Sequence, residues 1–316
     1  MPLRVVLLGA TGTIGRATLR ALGRRGHEVV CLGRGRVELD SAELRVVDLA
    51  DRAAILRDGF RGERFDAVLS CMASRTGAPR DAWAVDHAMH AEVLAAARDA
   101  GIGRFVLLSA ICVQKPLLAF QHAKLAFEAE LAGSGLDYSI VRPTAYFKSL
   151  SGQVGRVRRG KPFLVFGDGR LTACKPIGDD DLGDYLADCL TDGTLRNRVL
   201  PIGGPGDAIT PREQGEALFE ALGMRPRFRA VPVALLDGIA VALGVAAWLV
   251  PSLAEKAELA RIGRYYATES MLVLNPETGR YDAAATPSTG SATLAGFYRA
   301  LAKGAAAPER GDHAVF

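Results

Sequence analysis

The sequence is short of cysteine, of tryptophan and of net charge, and each shortage closes off a class of protein. The five cysteines are Cys31, Cys71, Cys112, Cys174 and Cys189. An odd number with no Cys-x-x-Cys pair supports neither a disulfide framework nor a zinc or iron–sulfur centre, and a reducing cytoplasm is the expected compartment. Basic residues number 39 and acidic ones 35, a formal net charge of +4. The two signs are interleaved apart from short runs such as 156–159, so nucleic-acid binding finds no support. Repeats and low-complexity tracts are absent. The first apolar run starts almost at the first residue, so the expectation is a chain without a signal or transit peptide.

With 49% hydrophobic and 23% charged residues over 316 positions, the chain can bury a large core. Its first half alternates β-rich runs with helical stretches. Strands are expected over 3–8, 28–32, 44–47, 67–70, 105–108 and 138–141, and helices over 14–25, 52–60, 82–100 and 118–131. Gly101 stands where a helix end favours a residue tolerating positive φ. This pattern predicts an α/β fold, a Rossmann-type doubly wound parallel sheet. Past residue 144 the alternation loosens. A helix over 179–190 and a strand over 198–202 return to the sheet, and Thr210-Pro211-Arg212-Glu213 opens a further helix as a capping box. The expected division is a nucleotide-binding domain over 1–150 with its sheet completed by 173–204, a smaller C-terminal substrate lobe from 151–172 and 205–302, and a tail over 303–316.

Only one long apolar stretch occurs. Residues 233–250 carry a single charge, Asp237, and two glycines. A bilayer span needs about 17–20 such residues, and a lone span late in an α/β chain is out of keeping. The expectation is a buried helix or one roofing an apolar ligand pocket, with contact on a membrane surface as the alternative.

Gly9-Ala10-Thr11-Gly12-Thr13-Ile14-Gly15 lies between the first strand and first helix. Gly9 permits the tight turn, Gly12 lets the backbone approach a pyrophosphate, and Gly15 lets helix and sheet pack closely. Thr11, Thr13 and Ile14 complete the loop at a helix N-terminus that favours an anion. The second strand ends in Gly33-Arg34-Gly35-Arg36. A carboxylate there would serve NAD, whereas a guanidinium suits the 2′-phosphate of NADPH, with Arg34 the better placed of the two. Asp48, after the third strand, either touches the adenine edge or caps a turn.

This spacing, the arginine and Ser109 at the end of the fifth strand resemble the extended and atypical short-chain dehydrogenase/reductases. In that superfamily a Tyr-x-x-x-Lys pair supplies a proton and holds the nicotinamide ribose. Here the lysine is Lys124, but Phe120 takes the place of the tyrosine, so alcohol–ketone chemistry loses its phenol. Ser109 either bonds nicotinamide or substrate or closes its strand end.

Further segments, among them Leu108-Ser109-Ala110-Ile111-Cys112, Tyr138-Ser139-Ile140-Val141-Arg142-Pro143 and Arg264-Tyr265-Tyr266-Ala267, resemble the 8-vinyl-reductases of divinyl chlorophyllide over nearly the whole chain. The resemblance implies NADPH-dependent reduction of the 8-vinyl group of divinyl chlorophyllide or protochlorophyllide to ethyl in (bacterio)chlorophyll synthesis. Charge left beside the vinyl group would spread into the macrocycle, so no alkoxide forms. A proton must still arrive, from Tyr146, His122, water or Lys124 itself. A magnesium tetrapyrrole with a propionate implies an apolar pocket with a cation at its rim. Phe147, Phe163 and Phe166 are its candidate walls, and Lys148 and Lys161 its candidate cations. A reductase of another conjugated alkene, or an NADPH-binding sensor without catalysis, are the alternatives. Oligomeric state is not readable.

Overall fold

The apolar run at the N-terminus forms β1 (Arg4–Leu8), and Val5, Val6, Leu7 and Leu8 have no exposed surface. A strand buried on both faces needs cover on both. The computed structural model describes residues 1–35, 37–39, 42–250 and 253–305. After β1 come β2 (Glu28–Gly33), β3 (Glu43–Val46), β4 (Ala67–Ser70), β5 (Arg104–Leu108), β6 (Asp137–Pro143), β7 (Phe163–Phe166), β8 (Arg198–Ile202) and β9 (Phe228–Val231). Among the described residues one sheet holds seven of them, all parallel, in the order 3-2-1-4-5-6-8. The order reverses between β1 and β4, which opens a crevice at the carboxyl ends of these strands.

The helices are α1 (Thr13–Arg24), α2 (Arg52–Ala54), α3 (Pro79–Ala82), α4 (His90–Asp99), α5 (Ala119–Ala132), α6 (Phe147–Leu150), α7 (Val154–Arg158), α8 (Asp179–Thr191), α9 (Pro211–Ala221), α10 (Val233–Leu249), α11 (Ala254–Thr268) and α12 (Leu294–Ala302). A π-helical segment, Trp83–Met89, joins α3 to α4. Alternate residues of β1 serve opposite cores, as the two-residue period of a strand requires. Val6 and Leu8 join Phe105 and Phe127 on one face, and Val5 and Leu7 join Ile14, Leu182 and Leu186 on the other. On that second face α1 and α8 run parallel, held by Arg20–Asp180, Arg24–Asp184 and Arg25–Asp188 contacts of 2.6–2.9 Å. A Cβ on Gly183 would lie 2.7 Å from the Ala17 carbonyl carbon, so only glycine lets the two helices meet so closely.

After β6 the chain leaves the sheet, returns for α8 and β8, and leaves again. The parallel pair β7–β9 joins the two excursions, and Phe147, Val157, Phe163, Phe219 and Tyr298 form a separate core there. At α9 the capping box is present: Thr210 N–H donates to Glu213 at 2.7 Å, and Pro211 occupies the first turn. Gly101 has φ +70°, the left-handed conformation that follows α4.

The apolar stretch forms α10, but it is not buried. Its described side chains are all at least partly exposed, and Trp248 is 93% exposed. It packs on α11, to which Asp237 is tied through Arg264, and leaves Leu235, Ile239, Val241 and Val245 facing outward. The expected buried or roofing helix is therefore corrected: α11 covers α10 along one side, and nothing described covers the other. Among the described residues no helix is long and apolar enough to cross a membrane. Residues 306–316 of the expected tail lie outside the described residues, as does Arg36.

Candidate active site

The glycine loop opens at the switch point, and its three glycines meet three different demands. Gly9 takes φ +73°, and a Cβ there would stand 2.6 Å from Cys71 and Met72 backbone atoms just past β4. At Gly15 a Cβ would sit 2.0 Å from the Gly9 carbonyl oxygen. At Gly12 the closest approach would be 3.4 Å, an ordinary contact, so packing does not demand glycine there and open space for a ligand beside the backbone is what it preserves. Gly12 N–H donates to Gly9 at 3.0 Å, and its carbonyl accepts the first helical bond from Arg16 at 2.9 Å. The first-turn amides of Thr13, Ile14 and Gly15 therefore precede the helical ladder and suit an anion. Thr11 is exposed, and its carbonyl accepts from Arg16 Nε at 3.2 Å. These features fit a dinucleotide pyrophosphate.

At the end of β2, Arg34 is exposed. Asp48 is exposed too, and its carboxylate accepts from Ala50 N–H at 3.0 Å, the turn-capping alternative. Ser109 is buried and donates to Glu128 of α5, which also binds Arg142 at the end of β6. That network ties Ser109 to the protein rather than leaving its hydroxyl toward a ligand.

Lys124 projects from α5 and donates to Asp86 at 2.9 Å, with 12% of the lysine side chain and none of the aspartate exposed. Asp86 also accepts from Ser74 Oγ at 2.6 Å and from its N–H at 3.2 Å. Burial alone would raise the Asp86 carboxyl. The Lys124 charge and the Ser74 bond outweigh it and hold the group below its usual range. Nearby His90 bonds Ser70 Oγ and the Val85 carbonyl, each at 2.8 Å, and burial beside Lys124 pulls it down to about 4, so it is neutral. Asp86 was not read from the sequence. It lies in the π-helical segment, where the wider turn breaks the 3.6-residue period that locates inward faces.

Two positions before Lys124, His122 is exposed. Residues two apart on a helix point in nearly opposite directions, so His122 is corrected from candidate donor to surface residue. Phe120 is buried with Ile262 and Tyr265 of α11. Tyr146 is half-buried and packs against the sheet-side core. Burial, with Cys71 and Cys112 close by, pushes its phenol above the ordinary range. Tyr266 of α11 donates to Cys112 Sγ at 3.8 Å and is 41% exposed, so a second phenol faces the same end of the sheet.

A family model described as NAD(P)H-binding matches residues 9–193, more than half of the chain. The divinyl chlorophyllide a 8-vinyl-reductase of Oryza sativa subsp. indica is 49% identical over 99% of this chain and 82% of its own length. That of Cucumis sativus is 46% identical over 99% and 79%. The chain belongs to the divinyl chlorophyllide a 8-vinyl-reductase family. More distantly, the photosystem II assembly factor Ycf39 of Synechocystis is 28% identical over 74% of this chain and 72% of its own. Among solved structures, a nucleoside-diphosphate-sugar epimerase from Staphylococcus aureus superposes with a TM-score of 0.67 over 94% of this chain and all of that one, at 16% identity. The Thermus thermophilus UDP-glucose 4-epimerase complex with NAD gives 0.62 over 73% and 86%, at 22% identity. These two likenesses concern the fold.

In this family member the expected pocket walls are placed differently. Phe147 and Phe163 are buried in the lobe core, where Phe147 packs on Phe297 with centroids 5.5 Å apart and Phe163 on Phe228 at 6.1 Å. Both are corrected to core residues, since β7 and α6 turn these rings toward α9 and α12. Phe166 is half-buried at the end of β7, and Lys161 is exposed on the turn before it. Lys148 does not stand at an outer rim: its Nζ donates to Thr13 Oγ1 of the glycine loop at 2.6 Å.

Proposed function

We propose that the chain reduces the 8-vinyl group of divinyl chlorophyllide a, or of its protochlorophyllide precursor, to ethyl, using NADPH as the hydride source. Family membership supports the reaction. The observation that carries the mechanism is that Lys124 is retained and fixed by Asp86 while Phe120 is buried in place of a phenol. That arrangement orients a nicotinamide ribose without providing the acid that carbonyl reduction needs. NADPH supplies a hydride when bound; the glycine loop holds its pyrophosphate and Arg34 takes its 2′-phosphate. Tyr146 is the proposed proton donor to carbon, because it is a half-buried phenol that follows β6 and packs with Cys71 at the carboxyl end of the sheet.

The test is an anaerobic assay of the purified protein with divinyl chlorophyllide a. Loss of one conjugated double bond moves the Soret band to the blue. A shift that requires NADPH, and is much slower with NADH, is the expected result; tight NADPH binding without any pigment change would favour another alkene substrate or a sensor.

The pigment is apolar, and the exposed helix α10 is read as the contact with the membrane where such molecules partition. Three exposed arginines, Arg225, Arg227 and Arg229, precede it, so the apolar surface is flanked by positive charge. An anionic bilayer matches both. The five cysteines are free, in keeping with a cytoplasmic enzyme held peripherally at that surface. Flotation with phosphatidylglycerol vesicles should retain the protein, and Trp248→Ser should weaken retention. Retention unchanged by the substitution, or a concentration-dependent dimer in place of vesicle binding, would reject this contact.

A further inference from the structure

We propose that Lys148 is a ligand of the cofactor pyrophosphate, supplied to the glycine loop from the second lobe; this rests on the NADPH reading above. Lys148 lies on α6, the first element after the chain leaves the sheet, and its Nζ stands 2.6 Å from Thr13 Oγ1. Thr13 is the first residue of α1, so the ammonium is held at the mouth formed by the unpaired first-turn amides. Its surroundings make this a charged site rather than a chance contact. Because α1 and α8 run parallel, the N-termini of both open at the same end, and Asp179 begins α8. Asp179 Oδ1 is buried and has no partner among the described residues. Burial raises this carboxyl and the nearby Lys148 charge opposes the rise. Lys148 is thus bonded to a hydroxyl of the nucleotide loop with an incompletely satisfied carboxyl nearby, and its three N–H donors are not used up by Thr13.

A pyrophosphate at the loop carries two negative charges. The α1 N-terminus contributes a partial charge there, whereas that of α8 carries Asp179, Asp180 and Asp181 in its first turn, so a full cation close by is what adds a charge-assisted bond. Arg16 and Arg20 are also near, but Arg16 Nε is engaged with the Thr11 carbonyl and Arg20 with Asp180. Lys148 is the one that arrives from outside the nucleotide-binding half. Cofactor occupancy would thereby fix α6, and with it the neighbouring Phe147 and Tyr146.

The experiment is calorimetric titration of the full chain and its Lys148→Met and Lys148→Arg variants with NADPH, ADP-ribose and 2′-AMP. ADP-ribose carries the pyrophosphate without the 2′-phosphate, and 2′-AMP the reverse. For Lys148→Met we expect affinity for NADPH and ADP-ribose to fall about 10- to 100-fold, with 2′-AMP unaffected; Lys148→Arg should recover most of the loss. ADP-ribose binding to Lys148→Met at wild-type strength would overturn the proposal. Equal loss of all three ligands would also overturn it, as a structural effect. Failure of the wild-type chain to bind any of the three would instead reject the NADPH reading, and this proposal with it, whereas failure to reduce pigment with binding intact would touch only the reaction.

Discussion

Lys124 Nζ rests 2.9 Å from Asp86 Oδ1, and the aspartate side chain has no exposed surface. A buried ion pair of this kind is dangerous to halve, because the surviving charge is left without water or a partner. Asp86→Ala should cost about 3 kcal/mol of stability by urea denaturation. Adding Lys124→Met to it should restore part of that loss while turnover stays abolished. If Asp86→Ala unfolds at the wild-type midpoint, the pair does not anchor Lys124.

Two glycine substitutions should separate packing from binding. Gly15→Ala places a methyl 2.0 Å from the Gly9 carbonyl and should destabilise the chain by several kcal/mol. Gly12→Ala meets nothing closer than 3.4 Å and should leave the thermal midpoint nearly unchanged while NADPH affinity falls at least about tenfold. Thermal melts with and without NADPH read both effects. Equal destabilisation by the two would contradict the assignment of Gly12 to ligand approach.

Cofactor preference tests Arg34. Arg34→Ala should reduce the NADPH-over-NADH ratio of kcat/KM by about tenfold or more, through NADPH rather than NADH. An unchanged ratio moves the 2′-phosphate contact elsewhere.

Stability should depend on His90. Its folded pKa lies near 4, below the unfolded value of 6.5, so the unfolded chain binds the extra proton between those values. Stability is therefore fully present above about pH 6.5 and is lost as pH falls toward 4. His27 is also lowered by burial and adds to the same slope. Denaturation midpoints of wild type and His90→Gln from pH 7 to 4 should converge as acid is added, because the variant lacks the titrating group. Parallel curves would show that His90 does not titrate in that window.

Much of this was visible in the residues. The strands at Ala67–Ser70 and Arg198–Ile202 fall where β-rich runs placed them, because both are short and bounded by turns; the first is buried throughout, and the second, at the sheet edge, buries only Leu200 and Ile202. The glycine loop was legible because Gly9 and Gly15 answer backbone needs that no other residue meets and Gly12 stands at the fixed spacing between them. Buried charges were not. Asp86 and Glu128 sit on alanine-rich helices with scattered charges, where a buried carboxylate looks like a solvated one until its partner arrives from another element. The direction of an aromatic ring was equally hidden: Phe147 is apolar whether it walls a pocket or fills the lobe core. For α10 the composition was read correctly as apolar, but exposure depends on what lies against the helix, and that is a tertiary fact.

The path of the chain after β6 has a consequence for how this molecule can be divided. The second lobe is sewn to the nucleotide-binding half in two passes, with β8 and α8 interposed and the β7–β9 pair knotting the passes together. Neither half is a single stretch of sequence, so the cut that isolates one necessarily takes an edge strand from the other. Hinge bending between the halves is restrained by several connections, and any adjustment to a bulky planar substrate falls to side chains and to surface elements such as α10 and α11.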